Sequence, residues 1–361
     1  MQTAGIADLE SRLSVGKSQD FPLFGQLDLT YRCGYDCIHC YCKGSEHEKD
    51  ELSTQACKRI LGELRDAGCV WLGLSGGDPL VRKDFCEIYS HAKKLGFIVN
   101  VFTNAHDITA EQLKLFRAQA PYSVEITLYG ATASVYEKIT QRFGSFKRAL
   151  ANIRALQEAG VKLRLKTVCL KENAHEFGRI KTLCESITGK PTSGLHAFAY
   201  DTTIFPRLNG DLSSCEHRLS WEELEAVRRQ DPEVLQEQKV KLASGLPKPP
   251  SDPQQLYCCD TWKNQVFIDP YGRLKFCMHS DKYSSDLRQV PLKTAFRSML
   301  RSAARARMKT ESKCRTCDLR SLCFFCPSSS LKETGNEETP SPYFCDLAKK
   351  TAQAMRRHAH R

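Results

Sequence analysis

Three cysteines in a short loop give the strongest indication of chemistry in the sequence. Cys33, Cys37 and Cys40 are spaced C-x3-C-x2-C and directly follow an apolar segment typical of a β-strand. Thiolates at this spacing can bind three irons of a four-iron cluster and leave the fourth iron free to bind a small molecule. The same loop could instead hold a structural zinc ion, with Cys42 or His39 as the fourth ligand.

The last hundred residues carry a second population of cysteines. Its eight members are Cys258, Cys259, Cys277, Cys314, Cys317, Cys323, Cys326 and Cys345. Between Cys259 and Cys277, the turn signal Asp269-Pro270-Tyr271-Gly272 predicts a small β-hairpin. This region has too little apolar content to form a core of its own, so we expect bound metal to stabilise it. A pair of zinc ribbons is the simplest alternative to iron–sulfur clusters.

The composition places these cysteines in a reducing compartment. The chain has 361 residues, of which 18 are cysteine, with no apolar run of membrane-spanning length and no secretory signal. We therefore expect a cytoplasmic protein without a membrane partner. Because the cytosol keeps thiols reduced, metal binding explains the cysteines better than disulfides do.

The charge balance narrows the class of partner. The formal net charge is +11, with every cysteine counted as neutral. Three iron–sulfur clusters would lower this charge to roughly half. A modest basic excess suits an acidic peptide or an acidic electron donor. The sequence has no basic stripe interleaved with aromatic residues, so we expect no nucleic-acid partner.

Strand-like and helical segments alternate over the first half of the chain. The predicted strands are Gly25–Tyr31, Val70–Ser75, Phe97–Thr103, Tyr122–Leu128, Val161–Val168 and Leu195–Tyr200, and the predicted helices are Ser53–Ala67, Asp84–Leu95, Thr109–Ala118, Phe146–Ala159 and Glu176–Ile187. Ser53 is a predicted N-cap, and Gly68, Gly96 and Gly160 are predicted C-terminal stops of helices. This alternation predicts an α/β fold, a partial (β/α)6 TIM-like barrel, followed by a small cysteine-rich domain. Active residues of such sheets lie at the C-terminal ends of the strands, which is where the first cysteine loop falls.

Changes in composition divide the chain into five parts. They are a lead-in at 1–24, the partial barrel at 25–201, a bridge and linker at 202–255, the cysteine-rich domain at 256–347 and a helical tail at 348–361. The linker is marked by a proline-rich stretch before the second group of cysteines. The lead-in is too short for a separate recognition domain.

The cysteine loop and the segment after the second strand together resemble the radical S-adenosylmethionine (SAM) superfamily. Ser75-Gly76-Gly77-Asp78 is similar to the family's Gly-Gly-Glu-Pro motif, whose backbone and carboxylate hold the amino group of SAM. Asp78 keeps the charge of the family's Glu with a shorter reach. His39 stands where the family usually has an aromatic residue before the third cysteine.

Later segments resemble further parts of the same SAM pocket. Thr127 stands in strand four where a family hydroxyl contacts SAM, and Tyr129 replaces a frequent Asp. Arg142 matches an arginine that pairs with the SAM carboxylate, a contact suited to a guanidinium. Asn104, at the end of strand three, is a candidate of the same kind. Alternatively, Thr127 is an ordinary residue of the strand, and Arg142 is a solvent-exposed residue at the start of a helix.

The C-terminal cysteines resemble the SPASM extension of that superfamily. The resemblance implies one auxiliary 4Fe-4S cluster on Cys259, Cys277 and Cys326 and another on Cys314, Cys317, Cys323 and Cys345. Cys258 is either a fourth ligand of the first cluster or a bystander that leaves one iron open. Two residues separate Cys323 from Cys326 where the family generally has three, so the ligand assignment departs from the family pattern there.

What the resemblance implies is reductive cleavage of SAM to a 5′-deoxyadenosyl radical, which abstracts hydrogen from a peptide. We expect maturation of a ribosomally made peptide by crosslinking or oxidation. Sulfatase maturation (formylglycine formation) and cofactor biosynthesis of the haem or quinone type are the alternatives. An iron–sulfur electron carrier or a zinc-binding adaptor would be a protein of another class.

The same resemblance implies partners, and the positions of residues at strand ends suggest candidate acid–base groups. Flavodoxin or ferredoxin would donate electrons, and the auxiliary clusters would accept the electron that the substrate returns. Recognition of a leader peptide would fall to a separate protein or to the rim of the barrel. Tyr129, Tyr200 and Asp201, at or near C-terminal strand ends, are the candidate proton acceptors.

Overall fold

A computed structural model describes residues 21–47, 50–189, 198–233, 235–236, 240, 252–259 and 261–359. The strands of this part are β1 Phe24–Thr30, β2 Trp71–Gly76, β3 Ile98–Thr103, β4 Ser123–Thr127, β5 Leu163–Val168, β6 Ala199–Asp201, β7 Gln265–Ile268, β8 Arg273–Lys275 and β9 Ser285–Asp286. The α-helices are α1 Thr54–Asp66, α2 Phe85–Lys94, α3 Ala110–Ala118, α4 Ala133–Thr140, α5 Ser145–Glu158, α6 Phe177–Thr188, α7 Trp221–Arg229, α8 Thr261–Asn264, α9 Leu292–Arg305, α10 Pro327–Thr334 and α11 Pro342–Ala359.

All nine strands belong to one sheet in the order β6-β5-β4-β3-β2-β1-β7-β8-β9. Strands β1 to β6 are parallel neighbours, with helices in the connections. The predicted α/β fold with a parallel sheet core is therefore confirmed. Among the described residues, β6 and β9 each have one neighbouring strand, so the sheet is open, as expected for a partial barrel.

Side chains along each strand point alternately to the helix-facing side and to the inner side of the sheet. Leu27 and Leu29 of β1 are buried in the main hydrophobic core, together with Leu61 and Leu64 of α1. Since successive side chains point to opposite faces of a sheet, Asp28 lies on the inner side. The core thus fixes which residues of each strand face the interior of the barrel.

Local signals set the ends of the barrel helices. The Ser53 hydroxyl accepts a hydrogen bond from the Ala56 backbone N–H at 3.2 Å and caps α1, as predicted. Gly68, which follows α1, has φ of +94°, a conformation that glycine adopts without strain. The predicted stops at Gly96 and Gly160 also have positive φ, +86° and +74°.

The structure contains features that the sequence pattern does not predict, among them helices α9 and α10, and two of these features bear on the barrel. Helix α4, Ala133–Thr140, lies in a segment without a predicted helix. Strand β7 of the predicted hairpin also pairs in parallel with β1, so the sheet continues into the cysteine-rich region. Residues 195–197 of the sixth predicted strand lie outside the described residues, and β6 itself is Ala199–Asp201. The division into five parts stays a prediction.

No described helix is long and apolar enough to cross a membrane.

Candidate active site

The first cysteine loop leaves β1 at the C-terminal edge of the sheet. Cys37 is buried and Cys33 is exposed. The Cys33 sulfur accepts hydrogen bonds from the Asn104 side-chain amide at 3.1 Å and from the Tyr35 backbone N–H at 3.4 Å. A hydrogen bond from the Cys42 thiol is the main cause that lowers the pKa of Cys40 to about 7. Burial raises the pKa of Cys33 to about 12 despite its two hydrogen bonds, and it raises the pKa of Cys37 as well, so the surroundings favour a negative charge at Cys40.

Helix α4 anchors this loop through its last carbonyl groups. The backbone N–H groups of Asp36 and Ile38 each donate a hydrogen bond, both at 3.1 Å, to the carbonyls of Thr140 and Ile139. The last carbonyls of a helix lack partners within the helix, so the loop supplies them. Sequence reasoning missed this helix, although Thr132 before it is a good N-cap residue and accepts from the Val135 N–H.

The Gly-Gly turn after β2 anchors the loop from the other side. The Gly77 N–H donates to the Thr30 carbonyl at 2.8 Å, and the Asp78 N–H donates to the Arg32 carbonyl at 3.0 Å. A Cβ atom on Gly76 would lie 2.0 Å from the Thr30 oxygen, and one on Gly77 would lie 2.4 Å from the Tyr31 oxygen. This contact admits no side chain, so both glycines are required where β2 meets the start of the loop.

The Asp78 carboxylate joins the ends of β2 and β3. It accepts hydrogen bonds from the Leu80 N–H at 3.0 Å, the Thr103 hydroxyl at 2.8 Å and the Asn104 N–H at 3.1 Å. Burial raises the pKa of Asp78 to about 6 despite these three bonds. The carboxylate therefore positions Asn104, and a contact between Asp78 and SAM stays a prediction.

Asn104 links this carboxylate to the cysteine loop. Its amide donates to the Cys33 sulfur, while its side-chain oxygen accepts from the His106 N–H at 2.7 Å. The His106 ring in turn lies where a Cβ of Gly34 would be, at 2.7 Å. The structure therefore brings Asn104 into direct contact with a predicted cluster ligand.

The remaining predicted SAM-pocket residues lie at the same edge of the sheet. Ser75, on β2, is in register with Asp28 of β1, and Thr127 ends β4. Arg142 is exposed in the turn after α4. Burial chiefly lowers the pKa of His106, and the positive charge of Arg142 contributes. Arg142 is thus close enough to act on a residue that packs against the cysteine loop.

The three candidate proton acceptors occupy different surroundings. The Tyr129 ring lies 5.0 Å from the ring of His39 in the cysteine loop, and burial raises the pKa of Tyr129 well above its ordinary value. The Tyr200 ring packs 5.0 Å from Phe177 of α6. Asp201 is exposed and accepts a hydrogen bond from the Thr203 N–H at 2.7 Å. Of the three, the structure places Tyr129 beside the loop.

The C-terminal cysteines fall into two groups by their mutual electrostatic effects. Burial raises the pKa of Cys277 to about 12, and the nearby sulfurs of Cys326 and Cys259 add to that shift. Burial likewise raises the pKa of Cys323 to about 12, with contributions from the three other cysteines of its group, Cys314, Cys345 and Cys317. Thiolates that repel one another's charge gain from binding a cationic centre, so both donor sets fit iron–sulfur ligation.

The assignment of the C-terminal cysteines to two groups rests on their electrostatic effects on one another's pKa. In the described ranges, no three His, Cys, Asp or Glu side chains are arranged to hold a single metal ion. The Cys258 sulfur accepts a hydrogen bond from the Arg320 guanidinium at 3.1 Å.

A cavity of about 490 Å³ lies at the opposite, N-terminal end of the strands. Gln26, Asn100, Glu125 and Arg164 are among the residues that line it. The buried Glu125 carboxylate pairs with Arg164 at 3.4 Å and with Lys166 at 3.1 Å. The sequence analysis missed this charged cluster, because it forms only when β4 and β5 are placed side by side.

The Radical SAM superfamily matches residues 27–184 of the chain. This segment contains the first cysteine loop, the Gly-Gly turn and helices α1 to α5, so the match covers the elements that carry the first site.

Three relatives show different extents of similarity. Mycofactocin maturase MftC of Mycobacterium tuberculosis is 35% identical over 166 residues, which are 45% of this chain and 42% of that protein. PqqA peptide cyclase of Rhodopseudomonas palustris is 31% identical over 169 residues, 46% of this chain and 45% of that protein. The chain thus spans less than half the length of these two. AdoMet-dependent heme synthase of Methanosarcina barkeri is 24% identical over 343 residues, 88% of this chain and 94% of that protein.

A solved structure shares the fold over nearly the whole chain. SuiB of Streptococcus suis bound to S-adenosylmethionine has a TM-score of 0.70 at 14% identity, covering 95% of this chain and 82% of that one. SuiB bound to its precursor peptide SuiA also has a TM-score of 0.70 at 14% identity, covering 95% of this chain and 80% of that one.

Proposed function

We propose that the protein is a radical SAM/SPASM enzyme that abstracts hydrogen from a peptide during the maturation of a ribosomally made peptide. The observation that carries this proposal is the coexistence of a segment that matches the radical SAM superfamily with two separate groups of C-terminal cysteines. An electron carrier or a zinc adaptor would not require the SAM pocket residues that surround the first loop.

The residues proposed to hold SAM and its cluster lie together at one edge of the sheet. Cys33, Cys37 and Cys40 would hold the SAM-binding 4Fe-4S cluster, and Ser75, Gly76, Gly77, Asp78, Asn104, Thr127 and Arg142 would form the SAM pocket. Bound there, SAM and the reduced cluster supply a 5′-deoxyadenosyl radical. The described contacts support this set, because Asn104 bonds to the Cys33 sulfur and Asp78 positions Asn104.

The C-terminal cysteines are proposed to hold two auxiliary 4Fe-4S clusters. One would use Cys259, Cys277 and Cys326, with Cys258 as the fourth ligand. The other would use Cys314, Cys317, Cys323 and Cys345. Together the two clusters would supply an electron acceptor for the substrate. Mutual electrostatic effects that join the same cysteines support the two sets.

Groups of the protein would position the peptide and move its proton. Tyr129, beside the cysteine loop, is the proposed proton acceptor, ahead of Tyr200 and Asp201. Because the ordinary pKa of a tyrosine is about 10 and burial raises that of Tyr129 further, its hydroxyl would accept a proton only while passing its own onward. The ring of Tyr129 packs against the rings of His39 and Tyr136, which holds it beside the loop.

A peptide is the proposed substrate, because the descriptions of two similar proteins mention a peptide. They are PqqA peptide cyclase and SuiB bound to a precursor peptide. The net charge of +11 suits an acidic peptide and an acidic electron donor such as flavodoxin or ferredoxin. A separate leader-recognition protein and a cytoplasmic location complete the proposal.

A second candidate function is cofactor biosynthesis of the haem type. One observation favours it, since the match to AdoMet-dependent heme synthase spans 88% of this chain, whereas the peptide-enzyme matches span less than half. The identity of 24% in that match is lower than the 35% and 31% of the other two.

Anaerobic reconstitution tests the proposal and separates the alternatives. The loaded protein should contain about twelve irons, four for each of three clusters, and should release 5′-deoxyadenosine from SAM after reduction. Mass spectrometry should then detect a loss of hydrogen from an added precursor peptide. Two or three zinc ions without SAM cleavage would contradict an enzyme function. SAM cleavage coupled to conversion of a haem precursor, with no change in any peptide, would favour the second candidate.

A further inference from the structure

Arg320 is a buried cation in the loop between two proposed cluster ligands, Cys317 and Cys323. Only 6% of the residue is exposed. Its guanidinium donates to the Pro253 carbonyl at 2.6 Å, to the Gln255 carbonyl, and to the Cys258 sulfur at 3.1 Å. Arg320 therefore reaches from the loop of one cysteine group to a cysteine next to the other.

The Cys258 sulfur is the only non-carbonyl hydrogen-bond acceptor of the Arg320 guanidinium in the described part of the chain. The other acceptors are two carbonyl oxygens. The Arg320 Nε atom, also buried, has no hydrogen-bond partner among the described residues. The face of the guanidinium lies 5.4 Å from the Phe325 ring. A buried cation in such surroundings is stabilised by a thiolate or by an anionic cluster.

Arg320 also contacts the loop of the second group through its backbone. Its N–H donates a hydrogen bond to the Cys317 carbonyl at 3.1 Å, and it lies three residues from both Cys317 and Cys323. A single residue is thus fixed between the Cys258 sulfur and the loop that carries cysteines of the second group.

We infer that Arg320 is a charge bridge between the two auxiliary cluster sites and raises the reduction potential of both. Reduction adds one negative charge to a cluster, so a nearby cation and a hydrogen bond to a ligand sulfur both favour the reduced form. The inference rests on the proposed function, because it requires clusters at both groups. Arg320 would act through the clusters as a positioning and tuning residue.

Potentiometric titration monitored by electron paramagnetic resonance tests this role. The full-length reconstituted protein is compared with its Arg320→Gln and Arg320→Lys variants. We expect Arg320→Gln to shift both auxiliary midpoint potentials to more negative values, most strongly at the cluster beside Cys258. Arg320→Lys keeps the charge and should retain most of the wild-type potentials. The SAM-binding cluster should be unchanged in both variants.

Arg315 provides a matched control in the same cysteine-rich segment. Its guanidinium lies 3.4 Å from the Glu311 carboxylate, and 28% of its side chain is exposed. Because this arginine is already paired and partly solvated, Arg315→Gln should leave both auxiliary potentials at their wild-type values. A shift equal to that of Arg320→Gln would overturn a specific role for Arg320.

The outcomes separate this inference from the proposed function. Wild-type protein with about four irons and no auxiliary signals would contradict the proposed function itself. Full iron content with unshifted potentials in Arg320→Gln would overturn the inference alone. If Arg320→Gln loses auxiliary iron, Arg320→Lys decides the question. Iron retained by the lysine variant supports a role for the charge, whereas equal loss in both variants shows a purely structural role.

Discussion

The two cysteine-bearing regions are positioned by different means. The first loop is held at the edge of a parallel sheet, between the last turn of α4 and the Gly-Gly turn after β2, by backbone hydrogen bonds on both sides. Seven of the eight C-terminal cysteines lie outside the helices and strands, four of them in the segment between α9 and α10. The fold builds the first site by itself, whereas we expect the second to be completed by its metal.

The largest expected effect comes from removing a ligand of the second region. Cys314→Ala or Cys345→Ala should reduce peptide product to background while SAM cleavage continues uncoupled, because the first loop does not depend on those cysteines. Mass spectrometry of the peptide and chromatography of 5′-deoxyadenosine measure the two activities. Cys86→Ala, on α2 and outside both groups, is the control and should retain product. Product formation by the Cys314 and Cys345 variants would remove the auxiliary clusters from the mechanism.

A glycine substitution tests how rigidly the first region is built. Gly76→Ala places a Cβ 2.0 Å from the Thr30 carbonyl oxygen at a residue with φ of +129°. We expect the free energy of unfolding to fall by about 3 kcal/mol or more, with loss of SAM cleavage. Denaturant unfolding followed by circular dichroism measures the change.

Gly62→Ala is the matched control for that substitution. A Cβ at Gly62 of α1 would meet no atom within 4 Å. The substitution should raise the free energy of unfolding by about 0.5–1 kcal/mol, because alanine favours a helix interior over glycine. Equal effects of the two substitutions would show that the turn after β2 tolerates a side chain.

A buried carboxylate on the inner side of β1 predicts a pH effect on the barrel. Burial raises the pKa of Asp28 from 3.8 to about 6, so the folded state binds a proton more tightly than the unfolded state. Stability therefore falls as the pH rises from about 4 to about 6 and stays lower above that range. Asp78 has a similarly raised pKa and contributes to the same slope, so Asp28→Asn should reduce the slope by the share of Asp28 and add roughly 1–3 kcal/mol at pH 7. Identical pH profiles for the variant and the wild type would contradict the assignment.

The smallest expected effect is at the N-terminal cap of α3, the helix that follows the Asn104 segment in the chain. The Thr109 hydroxyl accepts from the Gln112 N–H, and the Gln112 side chain accepts from the Thr109 N–H, forming a capping box at α3. Thr109→Ala should cost about 1 kcal/mol of stability without changing SAM cleavage. Thr109→Ser should restore the stability. A loss of SAM cleavage in the alanine variant would show that the first site depends on more of the barrel than its own anchors.

The parts of the fold that follow from local sequence could be predicted. The periodic spacing of apolar residues predicted the strands and helices of the barrel. Ser53 and Gly68 marked the ends of α1, because capping depends on nearby residues. The spacing of the first cysteines and the Gly-Gly turn indicated the radical SAM segment for the same reason. The superfamily match over residues 27–184 bears out that indication.

The parts that depend on distant neighbours could not be predicted. The pairing of β7 with β1 joins residues more than two hundred positions apart, and no local pattern marks it. Helix α4 is only eight residues long. Its apolar residues repeat over too few turns to distinguish a helix from a loop in the sequence. Which face of β6 carries Tyr200 follows from its register with β5, and the structure turns its ring toward Phe177.

The measurement that tests the account most directly is SAM cleavage by a variant with Cys33, Cys37 and Cys40 all replaced by Ala. Because these residues are proposed to hold the SAM-binding cluster, release of 5′-deoxyadenosine should fall to background after anaerobic reconstitution and reduction. The variant should still bind about eight irons at the two C-terminal groups. SAM cleavage at the wild-type rate by this variant would contradict the claim that the chemistry begins at the first cysteine loop.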